Sequence, residues 1–259
     1  MSLVRASLIV VLLTAAAQFV GALVVGVAVA QTIGQGIIAP QAITTPVVLA
    51  ALVSTVVWNL VTWRLGLPAS TSHALIGALT GAVWLQSGAG AISLRGLGTV
   101  VLVLLLSPWV GFGASFLCMR LLMTLLQDAT PRTGARLQRL QWLLGPLLAL
   151  GHGANDAQKV MGIVALGLLS LRALPSFYIP PWLQLTAAAS LAAGTSLGGL
   201  SIMRTLGLRL YRMRALHSFA AQAAAAAVVL TASLLGGPVS TSQIIGASIA
   251  GRSEEHTSE

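Results

Sequence analysis

The stretch PASTSH at residues 68–73 decides the fold of this chain together with its near copy PVSTSQ at residues 238–243. Each copy precedes an apolar stretch that ends in a glycine, Gly81 in the first case and Gly251 in the second. Three consecutive hydroxyl side chains after a proline are ordinary in a loop, but they are costly in hydrocarbon unless they have partners. The repeat therefore indicates a duplicated chain whose two halves each present polar groups to one shared ligand.

The surrounding composition is typical of a membrane protein. Hydrophobic residues make up 56% of the 259 residues and charged residues only 7%, and the mean hydropathy is +0.92. Soluble domains carry roughly 25% charged residues. Solid apolar runs near the roughly 20 residues that cross a bilayer recur at residues 6–30, 46–62, 97–126, 182–200 and 217–235. We therefore expect an all-α, polytopic membrane protein, in which the single cysteine, Cys118, excludes a disulfide framework.

The net charge of +9 is explained by membrane topology, because the arginines lie at the ends of apolar runs. If the amino terminus is cytoplasmic and each run crosses once, ten basic residues lie inside, and only Arg95 and Arg172 lie outside. An anionic-lipid patch at residues 204–214 is compatible with this arrangement. In the topology that this count indicates, the apolar stretches after the two motifs enter the membrane from opposite faces. This predicts an inverted-topology repeat with a binding site near the midplane.

The segment GHGANDAQK, residues 151–159, places a carboxylate midway along another apolar run. Asp156 costs at least about 2.5–3.5 kcal/mol at that depth, so it is expected to pair, bind an ion or relay a proton. Lys159 lies three residues further on, and an internal ion pair is one interpretation. The other is a helix broken at this motif, whose free backbone groups line a cavity with His152 and Asn155.

We expect broken or re-entrant helices at both serine motifs as well, and the PASTSH motif has two interpretations. A helix amino terminus with hydroxyl groups binds anions, because the dipole and the free N–H groups both favour negative charge, whereas Ser70 could simply cap the helix. His73 is a candidate proton acceptor, although Gln243 replaces it in the second copy. Gln18 and Gln222 either face the cavity or pack between helices. The sequence contains no P-loop, Rossmann fingerprint, metal-ligand cluster or nucleophile–base arrangement, so we expect neither an enzyme nor a cofactor.

Several motifs in order resemble the inorganic phosphate transporter (PiT) family. They are QFVGA (18–22), TIGQGI (32–37), WNL (58–60), GLPASTSHALIG (66–77), HGANDAQK with MGI (152–159 and 161–163) and PVSTS (238–242). The resemblance covers about residues 1–251. It implies uptake of inorganic phosphate across the inner or plasma membrane by symport with H⁺ or Na⁺.

The resemblance also implies roles for particular residues. Asn155 and Asp156 would contact both the substrate and the coupling ion, and His73, His152, Gln158 and Lys159 are further candidates. The hydroxyl donors to phosphate would be Ser70, Thr71, Ser72, Ser240, Thr241 and Ser242. The expected partners are phosphate and the lipid bilayer, without nucleic acid or a resident metal, and a homo-oligomer is compatible with the pattern.

Three departures from the family pattern shape the remaining expectations. Gln243 stands where the family usually has His, Gln222 stands where it often has Glu, and a first helix with its own Asn-Asp motif would precede Met1. We therefore expect an incomplete first repeat at 1–126, a basic cytoplasmic loop at 127–140, a second repeat at 141–251 and a non-native tail at 252–259. A non-transporting fragment and a carrier of another oxyanion such as sulfate remain the alternative functions.

Overall fold

A computed structural model describes residues 3–67, 69–127, 131–207 and 215–251, and the predicted tail lies outside them. Nearly all of this described chain is helical. The α-helices are α1 (Leu3–Val24), α2 (Ala28–Gly36), α3 (Thr45–Leu65), α4 (Thr71–Ser87), α5 (Leu94–Leu125), α6 (Pro131–Ser170), α7 (Pro181–Gly207), α8 (Ala215–Leu234) and α9 (Thr241–Gly251). Short 3₁₀ turns lie at Pro40–Ala42 and Ala89–Ala91.

The helices have the length and composition of membrane-spanning segments. Among the described residues, α3, α5 and α8 are each long and apolar enough to cross a bilayer, and α1 with α2 forms a fourth candidate that is bent by 63°. Large apolar side chains, including Leu102, Leu117 and Trp109, face outward from α5. Such a surface is stable in lipid and not in water, so this is a multi-pass membrane protein, as predicted.

The first apolar run is bent rather than straight. The sequence predicts one apolar run over residues 6–30, but α1 ends at Val24 and a second helix, α2, extends from Ala28 to Gly36. Between them Gly26 has a φ of +99°, a conformation that glycine adopts without steric cost. The first N–H groups of α2 need acceptors, and the N–H of Val29 donates to Oε1 of Gln158, 2.8 Å away. A side chain of α6 thus stabilises the break.

Helix α6 is continuous through HGANDAQK, so the predicted break at this motif is wrong. Its 40 residues extend about 60 Å, and they include residues 131–140 of the expected basic loop. The glycines serve close packing instead of a break. A Cβ on Gly153 would overlap the backbone of Gln18 in α1, and one on Gly151 would press on Leu230 in α8. The absence of a side chain lets α1 and α8 approach α6 at this level.

Helices α3 and α4 form a hairpin that enters from the Ser170 end of α6. The Thr45 hydroxyl lies 3.1 Å from the Ser170 hydroxyl, and the side chains of Thr44 and Gln86 hydrogen-bond across the open end of the hairpin. At the start of α4, Ser72 contacts Lys159. Lys159 is 11 residues before Ser170, or about 16 Å along α6, so α4 starts well inside α6 and returns to the same end.

Helices α8 and α9 form a second hairpin from the opposite end. Nε2 of Gln141, near the start of α6, donates to the carbonyl of Ala215, and Asn155 contacts Ser233 at the end of α8. Helix α9 then packs against α5, where Ile244 lies beside Gly111 and Gly251 lies beside Phe112. Each of the apolar runs at 46–62 and 217–235 thus forms one helix of a hairpin whose turn carries a serine motif.

Apolar packing holds the first hairpin in place. Ile33 of α2, Val47 of α3, Leu79 of α4 and Leu104 of α5 belong to one cluster of fully or nearly fully buried side chains. Without a hydrophobic driving force between helices in lipid, such contacts stabilise by close van der Waals packing. The cluster fixes the position of the start of α4 relative to α6.

Candidate functional site

The two serine motifs adopt matching local structures. Helix α3 ends before Gly66, which has a φ of +67°, and α8 ends before Gly236, which has a φ of +76°. The next helices begin at Thr71 and Thr241. Gly66 and Gly236 are the same distance apart in sequence as Thr71 and Thr241, so the copies are in register. We call residues 66–72, of which the structure describes all but Pro68, the first turn, and residues 236–242 the second turn, so that each includes the first two residues of the following helix.

The two turns meet beside the middle of α6. Ser72 Oγ, in the first residues of α4, donates to the backbone carbonyl of Val239 in the second turn, 2.9 Å away. These residues are 167 positions apart. Because one hairpin enters from each end of α6, their meeting point lies within the apolar part of the protein. The starts of α4 and α9 converge there.

The ammonium of Lys159 lies at the centre of this meeting point. Its Nζ donates to Asp156 Oδ1 at 2.7 Å, to Ser72 Oγ at 2.6 Å and to the Val239 carbonyl at 2.6 Å. A lysine ammonium has three protons, so all are used. His152 Nε2 lies 3.2 Å from the other carboxylate oxygen of Asp156. The predicted internal ion pair is therefore present, and it also joins the two turns.

Asn155 holds the second turn. Its amide donates to Ser233 Oγ at 3.0 Å and to the Gly237 carbonyl at 3.1 Å. Its carbonyl oxygen accepts from the N–H of Val239 at 3.2 Å. The side chain is completely buried. All of these partners belong to the second hairpin, so Asn155 satisfies backbone groups that the end of α8 leaves free.

The predicted hydroxyl donors differ in their surroundings. Ser70 caps α4, because its Oγ accepts from the N–H of His73 at 3.3 Å and lies 2.8 Å from Nδ1 of the same residue. Ser240 Oγ lies 3.4 Å from Ser242 Oγ. Thr71 is exposed at the start of α4, whereas Thr241 is buried at the start of α9. The two copies therefore have similar backbone conformations but differ in which side chains are buried.

The glutamines that the sequence singled out occupy other positions. Gln18 accepts a hydrogen bond from Thr195 Oγ1 at 2.5 Å, which joins α1 to α7, as helix packing would require. Gln222 lines a cavity of about 240 Å³ with Thr14, Gln141 and Gly145. Gly145 is seven residues before His152, roughly 10 Å along α6. The cavity thus lies toward the Pro131 end of α6.

Comparison with known proteins identifies the family. Residues 5–136 and 123–253 match the model of the phosphate transporter family. The chain belongs to this phosphate transporter family. The two matched segments are consistent with the repeat seen in the turns, and membership with the apolar helices supports the predicted plasma-membrane location.

Curated relatives cover most of the chain. A Rhizobium meliloti protein named probable low-affinity inorganic phosphate transporter is 39% identical over 236 residues, which are 90% of this chain and 71% of that protein. A Bacillus subtilis protein of the same name is 34% identical over 250 residues, which are 95% of this chain and 75% of that protein. A solved structure named the sodium-dependent phosphate transporter has a TM-score of 0.85 at 20% identity, covering 96% of this chain and 82% of the other. That likeness shows a shared fold.

Two features of the packing around α6 escaped sequence reasoning. The bend between α1 and α2 has Gly26 as its only local signal. Gln158 was a candidate ligand, but its carbonyl is engaged by Val29, and it is completely buried. Polar side chains of α6 thus satisfy the backbone of other, interrupted elements. That pairing depends on contacts across more than 80 residues.

Proposed function

We propose that this chain carries inorganic phosphate across the membrane by secondary symport with H⁺ or Na⁺. The observation that carries the proposal is the meeting of the two turns beside Asp156 and Lys159, from opposite ends of α6. A site between two hairpins of opposite entry can be opened toward either side by moving one hairpin at a time, which is what alternating access requires. Membership of the phosphate transporter family supports phosphate as the substrate.

The converging helix ends support an anionic substrate. Helix α4 begins at Thr71 and α9 begins at Thr241, so the amino termini of both lie at the meeting point. Each carries free N–H groups and the positive end of the helix dipole. Phosphate has four oxygen atoms that accept hydrogen bonds, and the hydroxyls of Ser240, Thr241 and Ser242 add donors beside those N–H groups.

The coupling ion is proposed to act through Asp156. It is the only acidic residue in the part of the chain that the structure describes, and it lies between His152 and Lys159. A carboxylate within a membrane is a common place for a proton or cation to enter a transport cycle. We expect the variant Asp156→Asn to abolish uptake.

The substrate assignment is tested with purified protein in proteoliposomes that are supplied with ³²P-phosphate. Thr71→Val and Thr241→Val remove one hydroxyl at each helix start and keep the shape of the side chain. We expect each to raise the phosphate KM about tenfold, the effect of losing roughly 1.4 kcal/mol of binding.

Thr80→Val is the matched control. Thr80 lies on α4, but its hydroxyl donates to the Ile76 carbonyl of the same helix, so its loss should leave the KM unchanged. Excess sulfate should compete poorly in all variants. The proposal fails if the native chain takes up no phosphate, or if sulfate displaces phosphate at equal concentration.

A further inference from the structure

The surroundings of the Lys159 ammonium are those of a metal-cation site rather than of a phosphate ligand. Three oxygens converge on Nζ, namely a carboxylate of Asp156, the hydroxyl of Ser72 and the backbone carbonyl of Val239. The three distances lie within 0.1 Å of one another, at 2.6 to 2.7 Å. Carboxylate, hydroxyl and unwound backbone carbonyl are the ligands that coordinate Na⁺ in transporters.

The ammonium has no proton left for a substrate. Its three donors are used by the three oxygens, and the lysine is 2% exposed. A phosphate oxygen could reach Nζ only by displacing the Asp156 carboxylate or one of the two turns. Lys159 therefore differs from a lysine whose ammonium is free to bind an anionic substrate.

Charge balance points in the same direction. Asp156 lies in the interior of α6, where a carboxylate needs a compensating cation. Lys159 is the only lysine in the sequence, and it supplies that cation from the same helix, three residues away. A cation delivered by the chain is always present, whereas a dissolved one binds and leaves. The carboxylate is thus neutralised without an ion from solution.

We propose that Lys159 Nζ permanently occupies an alkali-cation site formed by Asp156, Ser72 and Val239, which closes this site to Na⁺. Removal of the ammonium opens it. The consequence for transport, which rests on the proposed function, is that of the two proposed coupling ions only H⁺ can act at Asp156 in the native chain, so phosphate uptake needs no Na⁺ there. Lys159 is therefore a residue that sets ion specificity.

The test replaces the lysine by an unbranched apolar side chain. Lys159→Met keeps most of the volume and removes the charge. The apparent unfolding temperatures of the purified native protein and the variant are compared in NaCl and in choline chloride, without phosphate. We expect equal values in both salts for the native protein and a value several degrees higher in NaCl for Lys159→Met, because a cation that binds only the folded state stabilises it.

The control is the double variant Asp156→Asn/Lys159→Met, which lacks the carboxylate and should lose the Na⁺ effect. The same difference should appear in the yield of folded Lys159→Met purified in the two salts, so poor folding is itself a readout. Equal yields and unfolding temperatures of Lys159→Met in NaCl and choline chloride would overturn the proposal. A Na⁺ effect of the same size in the native protein would do so too.

Phosphate uptake separates this inference from the proposed function. Native uptake should be the same in Na⁺ and choline media, whereas Lys159→Met should lose at least tenfold in choline and recover in Na⁺. Absence of uptake in every variant and salt would refute phosphate transport, while the unfolding temperatures still decide whether the three oxygens bind Na⁺. Native uptake that requires Na⁺ would contradict the expected transport consequence.

Discussion

Replacing Asn155 by alanine tests whether this residue acts through the second turn or directly on a ligand. The change removes hydrogen bonds to the Gly237 carbonyl and from the Val239 N–H, and both groups are then stranded in an apolar interior. A buried backbone group without a partner costs roughly 1–3 kcal/mol, so the two together cost about 2–6 kcal/mol. At about 2–4 °C per kcal/mol, the apparent unfolding temperature should fall by at least about 4 °C.

The assay is thermal unfolding of the purified protein, combined with phosphate uptake in proteoliposomes. Ser233→Ala is the matched control, because it removes the Ser233 bond to Asn155 and leaves the contacts with the turn intact. It leaves one amide N–H of Asn155 without a partner and should cost about 1–3 kcal/mol, about half the cost of Asn155→Ala. If Asn155→Ala unfolded at the native temperature and yet lost phosphate uptake, Asn155 would be a ligand rather than a support of the turn, and the reasoning would be refuted.

The remaining predictions concern packing and topology. Gly153→Ala forces a methyl group into the backbone of α1 and should destabilise by at least about 1–3 kcal/mol in thermal unfolding, whereas Gly194→Ala meets open space and should be neutral. Equal stability of the two variants would contradict the close α1–α6 contact. In a Cys118→Ala background, a cysteine at Gln86 should react with an impermeant maleimide from outside intact cells, and one at Arg139 should not. Labelling of both from one side would exclude the opposite-end hairpins.

Much of the architecture was predictable because membrane constraints act on composition. Apolar runs and the arginines at their ends indicated a polytopic helical protein, and the serine motifs indicated two related turns. The depth of those turns was not predictable. Residues 46–62 and 217–235 are long enough to cross a bilayer, and only the contacts of Ser170 and Gln141 show that each helix belongs to a hairpin.

The sequence identified the residues of the candidate site better than it identified their roles. The sequence singled out Asn155, Asp156 and Lys159 because polar groups are costly in an apolar run. A break at this motif was a reasonable expectation, since interrupted helices expose backbone groups that bind ions. In the structure, the interrupted backbone belongs to other elements and not to this motif. Helix α6 is intact, and its side chains satisfy the interrupted backbone of other elements.

The sequence by itself determined that two PxSTS motifs and one buried Asn-Asp pair must find partners inside a membrane, because hydrocarbon offers them none. Only the tertiary structure decided which partners they find. The Ser72 hydroxyl, the Val239 carbonyl and the Asp156 carboxylate surround Lys159 through contacts that span up to 87 residues. Such pairings depend on helix packing and leave no local pattern, and this is why the enclosed ammonium became visible only in the folded chain.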